Sequence, residues 1–201
     1  MKKVVIFGAT GNTGLCTVNH ALEKGFETRI FVRDEAKIPE DIKSKVEVIK
    51  GDALNIDDVS KAIKDMDAVV VVLGTRNVLT PTTDLSTGMK NIIEAMKSNN
   101  VELVSVCLSG FLFYQPEKVP TIFKSLNEDH QRMYDALKES GLKYIAVFPP
   151  HIADAPSTKY IVKHDESAGR AISKHDLGAF LVECLDQSEH YQKICGIATS
   201  V

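Results

Sequence analysis

The chain carries no basic excess. Its 24 lysines and arginines stand against 27 aspartates and glutamates, a net charge of -3 over 201 residues. The electrostatic drive that holds proteins on phosphate backbones is therefore missing, and nucleic acid is not expected as a partner. No stretch approaches the ~18 consecutive apolar residues of a membrane span. Lys2-Lys3 and the apolar run 4–7 are cut off by Gly8, short of the ~7 to 15 residues of a signal-peptide core, so a cytoplasmic location away from membranes is expected. Cysteine is sparse: Cys16, Cys107, Cys184 and Cys195 are scattered, with no C-x-x-C pair and no histidine at ligand spacing. Reduced, mostly buried thiols and no metal are expected. Internal repeats and low-complexity segments are absent, and the length suits a single domain with one sizeable core.

What is present is an alternation of short β-branched runs with helical patterns. The runs 3–7, 27–32, 46–49, 68–73, 102–106 and 143–148 predict strands, and 12–24, 56–64, 85–98 and 128–140 predict amphipathic helices. A continuous apolar strand such as Ala68-Val-Val-Val-Val-Leu73 belongs in a sheet covered on both faces. The fold class is α/β, a doubly wound parallel sheet. Gly25 and Gly141 follow helix ends as C′ glycines do. Ser173-x-x-Asp176 ahead of 177–185 predicts a capping box, which makes His175-Asp176 helix-start chemistry rather than a catalytic dyad. The loop-forming composition of 149–158 follows the sixth strand, where a site rim belongs.

The first strand runs straight into Gly8-Ala-Thr-Gly11-Asn-Thr-Gly14. Gly14 falls in the first turn of the following helix, so backbone N–H groups and the helix dipole converge on one anion, and a dinucleotide pyrophosphate fits. Gly8 serves the tight turn, Gly11 the approach of the ligand, and Gly14 the packing of helix on sheet. A glycine-rich turn without a ligand is the alternative. An NAD enzyme usually places an acid at the end of the second strand, whereas this chain has Val32-Arg33-Asp34 with Lys37 close behind. Arg33 suits a 2′-phosphate, and Asp34 can turn away or pair with Lys37, so the reading favours NADP(H). Lys37 fits solvated surface charge equally well. Asp52 at the end of the third strand can accept from an adenine amino group, and Gly74 at the end of the fourth lets backbone approach a ribose.

Together with Leu73-Gly-Thr-Arg-Asn77, Pro81-Thr-Thr83, Ser140-Gly-Leu-Lys-Tyr144, Pro149-Pro-His-Ile152 and Ile172-Ser-Lys-His-Asp-Leu177, these segments resemble the atypical short-chain dehydrogenase/reductases of the NADPH-dependent flavin reductase and biliverdin-IXβ reductase type. The likeness spans nearly the whole chain. It implies a single-domain Rossmann fold, a monomer, and hydride transfer from NADPH to oxidised flavins (FMN, FAD, riboflavin) and to non-alpha isomers of biliverdin. Flavin is then a substrate rather than a prosthetic group. It also implies a cofactor site built from Gly8, Thr10, Gly11, Asn12, Thr13 and Gly14, then Arg33, Lys37, Asp52 and Ala53. Leu73, Gly74, Thr75 and Arg76 extend it, with Cys107, His130, Pro149 and Ile152 at the nicotinamide end. Leu108 stands where the family commonly has threonine.

Many members of the superfamily use a Tyr-x-x-x-Lys pair, the lysine lowering the tyrosine pKa. Tyr134-Asp-Ala-Leu-Lys138 has that spacing, but Lys138 lies only three residues before Gly141, too near its helix end, and helix packing is expected for Tyr134. Flavins and bilins do not need the pair, because hydride adds to a conjugated system whose charge is already delocalised. Ser109 after the fifth strand and His151 after the sixth are the candidate catalytic residues, the histidine able to stack on a planar acceptor and donate a proton. A loop histidine bonded to backbone is the plainer reading of His151, and a structural role that of His130. Phe111 to Tyr114 suits either a wall of the site or loop anchoring. A non-enzymatic, dinucleotide-binding redox sensor is the alternative function; it would leave the nicotinamide end blank.

Overall fold

The computed structural model describes residues 2–75 and 78–200. β1 (Lys3–Phe7) leads through the glycine turn into α1 (Asn12–Glu23), followed by β2 (Glu27–Val32), the single turn α2 (Glu40–Lys43), β3 (Glu47–Lys50) and α3 (Ile56–Ile63). The second half runs β4 (Ala68–Val71), α4 (Asp84–Ser98), β5 (Leu103–Cys107), α5 (Lys124–Glu139) and β6 (Lys143–Phe148). The chain ends with β7 (His151–Ala153), β8 (Tyr160–His164), β9 (Ala171–Ser173), α6 (Lys174–Glu183) and β10 (Lys193–Thr199). Eight strands form one sheet in the order β3-β2-β1-β4-β5-β6-β10-β8, and β7 pairs with β9 in a small second sheet. This is the doubly wound α/β fold, with helices on both faces.

Alternation explains the two layers. Val5, Phe7, Val69 and Val71 point to one face, under α3, α4 and α5, where Val59, Met89, Ile92, Met96, Met133 and Leu137 cover them. Val4, Ile6, Ala68 and Val70 point to the other face, under α1 and α6, against Val18, Ala21, Leu177, Phe180 and Leu181. Every residue of β4 is fully buried, as a central parallel strand between two helical layers must be. Gly25 (φ +73°) and Gly141 (φ +76°) adopt the left-handed conformation that closes α1 and α5.

The structure corrects several boundaries and adds elements. β4 ends at Val71 rather than 73, although Val72 N–H still donates to Phe7 C=O at 2.8 Å. α5 begins at Lys124, four residues before the predicted 128, and α6 spans Lys174–Glu183 rather than 177–185. The sheet is not wholly parallel, because β8 runs antiparallel to β10 at the edge. β7, β8, β9 and β10 lay outside the predicted strands. β7 and β9 are three residues each, too short to show a period, and β10 carries Gly196 within its run. Ser173 does cap α6, accepting from His175 N–H at 3.2 Å. Asp176 does not reach back to complete the box. Its buried carboxylate accepts from the Ser157 hydroxyl and from Thr158 N–H at 3.1 Å, so it pins the segment after β7 to the start of α6.

Asp129 is a fully buried carboxylate on α5. It accepts from Leu85 N–H at 3.0 Å and the Ser86 hydroxyl at 2.5 Å, in the first turn of α4, and from Arg132 at 3.0 and 3.2 Å. Arg132 also donates to Thr82 C=O at 2.9 Å. This clasp fixes the chain entering α4 against α5. Asp129→Ala strands buried donors and a guanidinium at once, and urea unfolding is expected to show a loss of about 3 to 5 kcal/mol. Asp129→Asn keeps the shape and one acceptor, and is expected to lose less than half as much.

Candidate nucleotide site and acceptor shelf

The strand order reverses between β1 and β4, and the crevice outside the carboxyl ends of strands at such a switch point is where open α/β sheets bind ligands. The glycine turn sits there. Gly8 has φ +83°, and a side chain on it would put Cβ 2.2 Å from Val72 C=O. A Cβ on Gly14 would lie 2.1 Å from Gly8 C=O, so Gly14 makes room for the turn's own backbone rather than for the sheet. Gly11 N–H bonds Gly8 C=O at 3.0 Å, and the first helical bond of α1 runs from Leu15 N–H to Gly11 C=O at 2.9 Å. The N–H groups of Asn12, Thr13 and Gly14 therefore have no acceptor within the helix. Gly11 caps α1 without a side chain, and the first turn holds no acid. By contrast Asn55 caps α3 through two N–H groups, with Asp57 and Asp58 in that first turn. The open positive end of α1 beside a glycine cradle is an anion site, and a dinucleotide pyrophosphate fits it. Thr10 lies in the same turn, and Thr13 is buried behind it.

At the end of β2, Asp34 is engaged within its own turn. Its carboxylate accepts from Ala36 N–H at 3.1 Å and lies 3.7 Å from Lys37 Nζ. Arg33 is exposed and forms no ion pair among the described residues. Lys37 pairs loosely with Asp34, both side chains exposed. Asp52, exposed after β3, accepts from Leu54 N–H at 3.0 Å through one carboxylate oxygen. Ala53 C=O accepts from the Asn91 side chain at 2.9 Å, tying this rim to α4. Leu73 is half-buried, Gly74 exposed and Thr75 half-buried along the end of β4; Arg76 lies outside the described residues.

Beyond β4 the rim becomes a shelf formed by the ends of β5 and β6. Leu108 N–H bonds Val147 C=O and Gly110 N–H bonds Pro149 C=O, each at 2.8 Å, so buried Pro149 and the segment after Cys107 are locked together. Burial pushes the Cys107 thiol up to about 12, which leaves it an inert core group. Ser109 is half-buried; its hydroxyl oxygen accepts from Phe111 N–H at 3.2 Å, and its proton remains available to donate. His151 and Ile152 are both exposed, and His151 opens β7, paired with Ala171, rather than lying in a loop. Phe111 stacks on Phe123 (5.3 Å) and Phe113 packs on Phe148 (5.1 Å), so these rings anchor the loop, while Tyr114 is exposed.

On α5, Asn127 Oδ1 is buried without a hydrogen-bond partner, and three residues on the His130 ring is buried with its Nδ1 no better than loosely placed on the Leu126 backbone. Burial lowers the His130 pKa to about 4, keeping the ring neutral. Tyr134 packs edge-on against Phe148 (5.3 Å, 85°), and burial followed by the neighbouring Tyr144 phenol pushes its pKa up to about 12. A proton donor activated by lysine requires the opposite shift. The positioning carboxylate Asp129 escaped the sequence reading, and Asp176 was read only as part of a capping box, without its partners Ser157 and Thr158. The signal for the first was present: Asp129, Met133 and Leu137 recur every four residues, which places an acid on the buried stripe of α5.

Among solved structures the chain is similar to a Rossmann-fold NAD(P)-binding family protein of Shigella flexneri, 25% identical with a TM-score of 0.81 over 99% of this chain and 94% of that one. It is also similar to a short-chain dehydrogenase/reductase of Veillonella parvula in complex with NADP (16%, TM-score 0.81, 98% and 94%). A third neighbour is ChuY, an anaerobilin reductase of Escherichia coli O157:H7 (16%, TM-score 0.84, 98% and 96%). No described helix is long and apolar enough to cross a membrane. The model of the NAD(P)H-binding family matches residues 8–188, from the first glycine of the turn to beyond α6, and the chain belongs to that family.

Proposed function

We propose that the protein is an NADPH-dependent reductase of flat, conjugated acceptors: oxidised flavins first, and open-chain bilins of the non-alpha biliverdin type second. The observation that carries this reading is the acceptor shelf. Ser109 and exposed His151 flank the strand ends beyond the glycine turn, while Tyr134, whose pairing with Lys138 lies on an α-helix, has a pKa displaced away from catalysis. NADPH supplies a hydride when bound. The open end of α1 holds its pyrophosphate, Arg33 takes the 2′-phosphate while Asp34 is engaged by Ala36 N–H, and Asp52 accepts from the adenine edge. His130 Nδ1 and Asn127 Oδ1 offer polar partners near the nicotinamide end. Ser109 donates to the carboxamide or to the acceptor and sets the distance between the two rings. His151 stacks on the acceptor and carries the proton that balances the added hydride. His151 and Ile152 lie exposed on the shelf among the described residues, which supports broad selectivity among planar acceptors. The anaerobilin reductase among the fold's neighbours supports a tetrapyrrole as one such acceptor. NADPH mixed with riboflavin, FMN or a bilin is expected to lose its near-ultraviolet absorbance only when the protein is added; no loss with any of the three removes this reading.

Arg33→Ala is expected to weaken NADPH by about 1.5 to 3 kcal/mol, the range of a lost charge-assisted contact, and NADH much less. Fluorescence titration with both cofactors measures it, and equal losses would remove Arg33 from the 2′-phosphate. Tyr134→Phe is expected to leave flavin reduction within about threefold, under ~0.7 kcal/mol of barrier. His151→Ala should raise KM more than it lowers kcat, and Ser109→Ala should lower kcat through lost alignment. A hundredfold fall in kcat for Tyr134→Phe, with fold and NADPH affinity intact, would restore the tyrosine as the acid.

A further inference from the structure

Cysteines and histidines scattered along the sequence showed no ligand spacing, yet the far edge of the sheet assembles a set. His164 ends β8, His190 ends the short 3₁₀ turn Ser188–His190 ahead of β10, and Cys195 lies within β10, directly opposite His164 in the antiparallel register. Cys195 is fully buried and forms the floor, His190 is half-buried, and His164 is exposed at the mouth. His164 Nε2 lies 2.8 Å from His190 Nδ1, and Cys195 Sγ lies 3.7 Å from the same nitrogen. All three ligand atoms fall within 4.8 Å of one another. The ring of Phe180, 5.3 Å from that of His190, screens the inner side.

We propose that His164, His190 and Cys195 form a binding site for one divalent ion of the zinc class, three protein ligands with a fourth position open to water. The donor set decides the class. One thiolate and two imidazoles suit zinc or cobalt and do not suit magnesium or calcium, which take oxygen. The geometry is near what is needed. Metal–nitrogen bonds of ~2.0 Å and a metal–sulfur bond of ~2.3 Å at tetrahedral angles separate two nitrogens by about 3.3 Å and sulfur from nitrogen by about 3.5 Å. The Cys195–His190 separation already agrees. The two imidazoles must part by about half an ångström, which the exposed His164 ring can do by turning outward, giving up the hydrogen bond it now shares with His190. On binding, the Cys195 thiol proton is released to solvent and the proton held between the two imidazoles passes to the ring nitrogen that does not face the metal, so that one S–metal and two N–metal bonds form with both rings neutral. The site lies on β10 and β8, four strand spacings or ~19 Å from β1 and the glycine turn, so it is separate from the nucleotide cradle. Its occupant would staple the antiparallel edge strand and the 3₁₀ turn to the parallel core.

The test uses the full chain, stripped with chelator and titrated with cobalt(II) and then zinc. One equivalent of cobalt is expected to give the visible bands of a tetrahedral site and a thiolate charge-transfer band, both removed by zinc in competition. His190→Ala and Cys195→Ser are expected to weaken binding by at least about tenfold, with the charge-transfer band lost in Cys195→Ser. Cys195 is buried, so His164→Gln, at an exposed position, serves where the cysteine variant does not fold; it too is expected to weaken cobalt binding. Cys16 Sγ lies 3.5 Å from His175 Nδ1 and is the competing thiol-imidazole pair, so Cys16→Ser is expected to leave the titration unchanged. No stoichiometric cobalt band in the wild type, or a band that survives His190→Ala and His164→Gln but disappears in Cys16→Ser, overturns the proposal.

Discussion

Three backbone N–H groups at the start of α1 constrain the rest of this molecule. Those of Asn12, Thr13 and Gly14 find no acceptor in the helix, and Gly11 has no side chain to supply one. An open helix start is tolerable where it meets water or an anion, and it carries partial positive charge. Keeping it open requires β1 to stop at the rim and Gly8 to take a left-handed backbone. It also requires Gly14 to lie against Gly8 C=O, where a single added carbon would collide. The helices α3 and α6 differ from α1 in closing their first turns with the side chains of Asn55 and Ser173.

The two helical layers make that geometry stiff. Residues on β1 and β4 alternate between the α3–α4–α5 face and the α1–α6 face, so neither strand can slip by one residue without reversing two buried surfaces. The loops that carry the site are then held by buried carboxylates. Asp129 binds the entry to α4, and Asp176 binds Ser157 and Thr158 beyond the His151 strand. A buried carboxylate satisfied by several donors is a positional device, since each donor fixes another stretch of backbone. The contrast between the rigid cradle and the open shelf matches the division of labour in the proposed reaction: a fixed dinucleotide and an acceptor chosen largely by flatness.

Chemistry at the shelf depends on what the helix does with Tyr134. Its spacing to Lys138 is that of an acid–base pair, but α5 places the ring against Phe148 and beside Tyr144, where burial opposes ionisation. A four-residue spacing puts two side chains on one helical face and says nothing of where that face points. The same holds for His151, exposed because β7 pairs with β9 and leaves its first residue at the rim.

Local chemistry determined the glycine turn, the parallel core and the helix ends, because each is written in a few adjacent residues: Gly8 to Gly14, the apolar run of β4, and Gly25 and Gly141 beyond their helices. Asp129 was legible as an acid on an apolar stripe, but its partners Leu85 and Ser86 lie more than forty residues away and nothing near Asp129 names them. Only the tertiary structure decided that Asp34 turns to Lys37 and leaves Arg33 free of ion pairs among the described residues. It alone made β8 antiparallel, and it alone brought His164, His190 and Cys195 within reach of one another. The physical reason is common to all three. Backbone geometry is set by neighbours in sequence, whereas the direction of a charged or ligating side chain is set by whichever partner the packed layers bring alongside it.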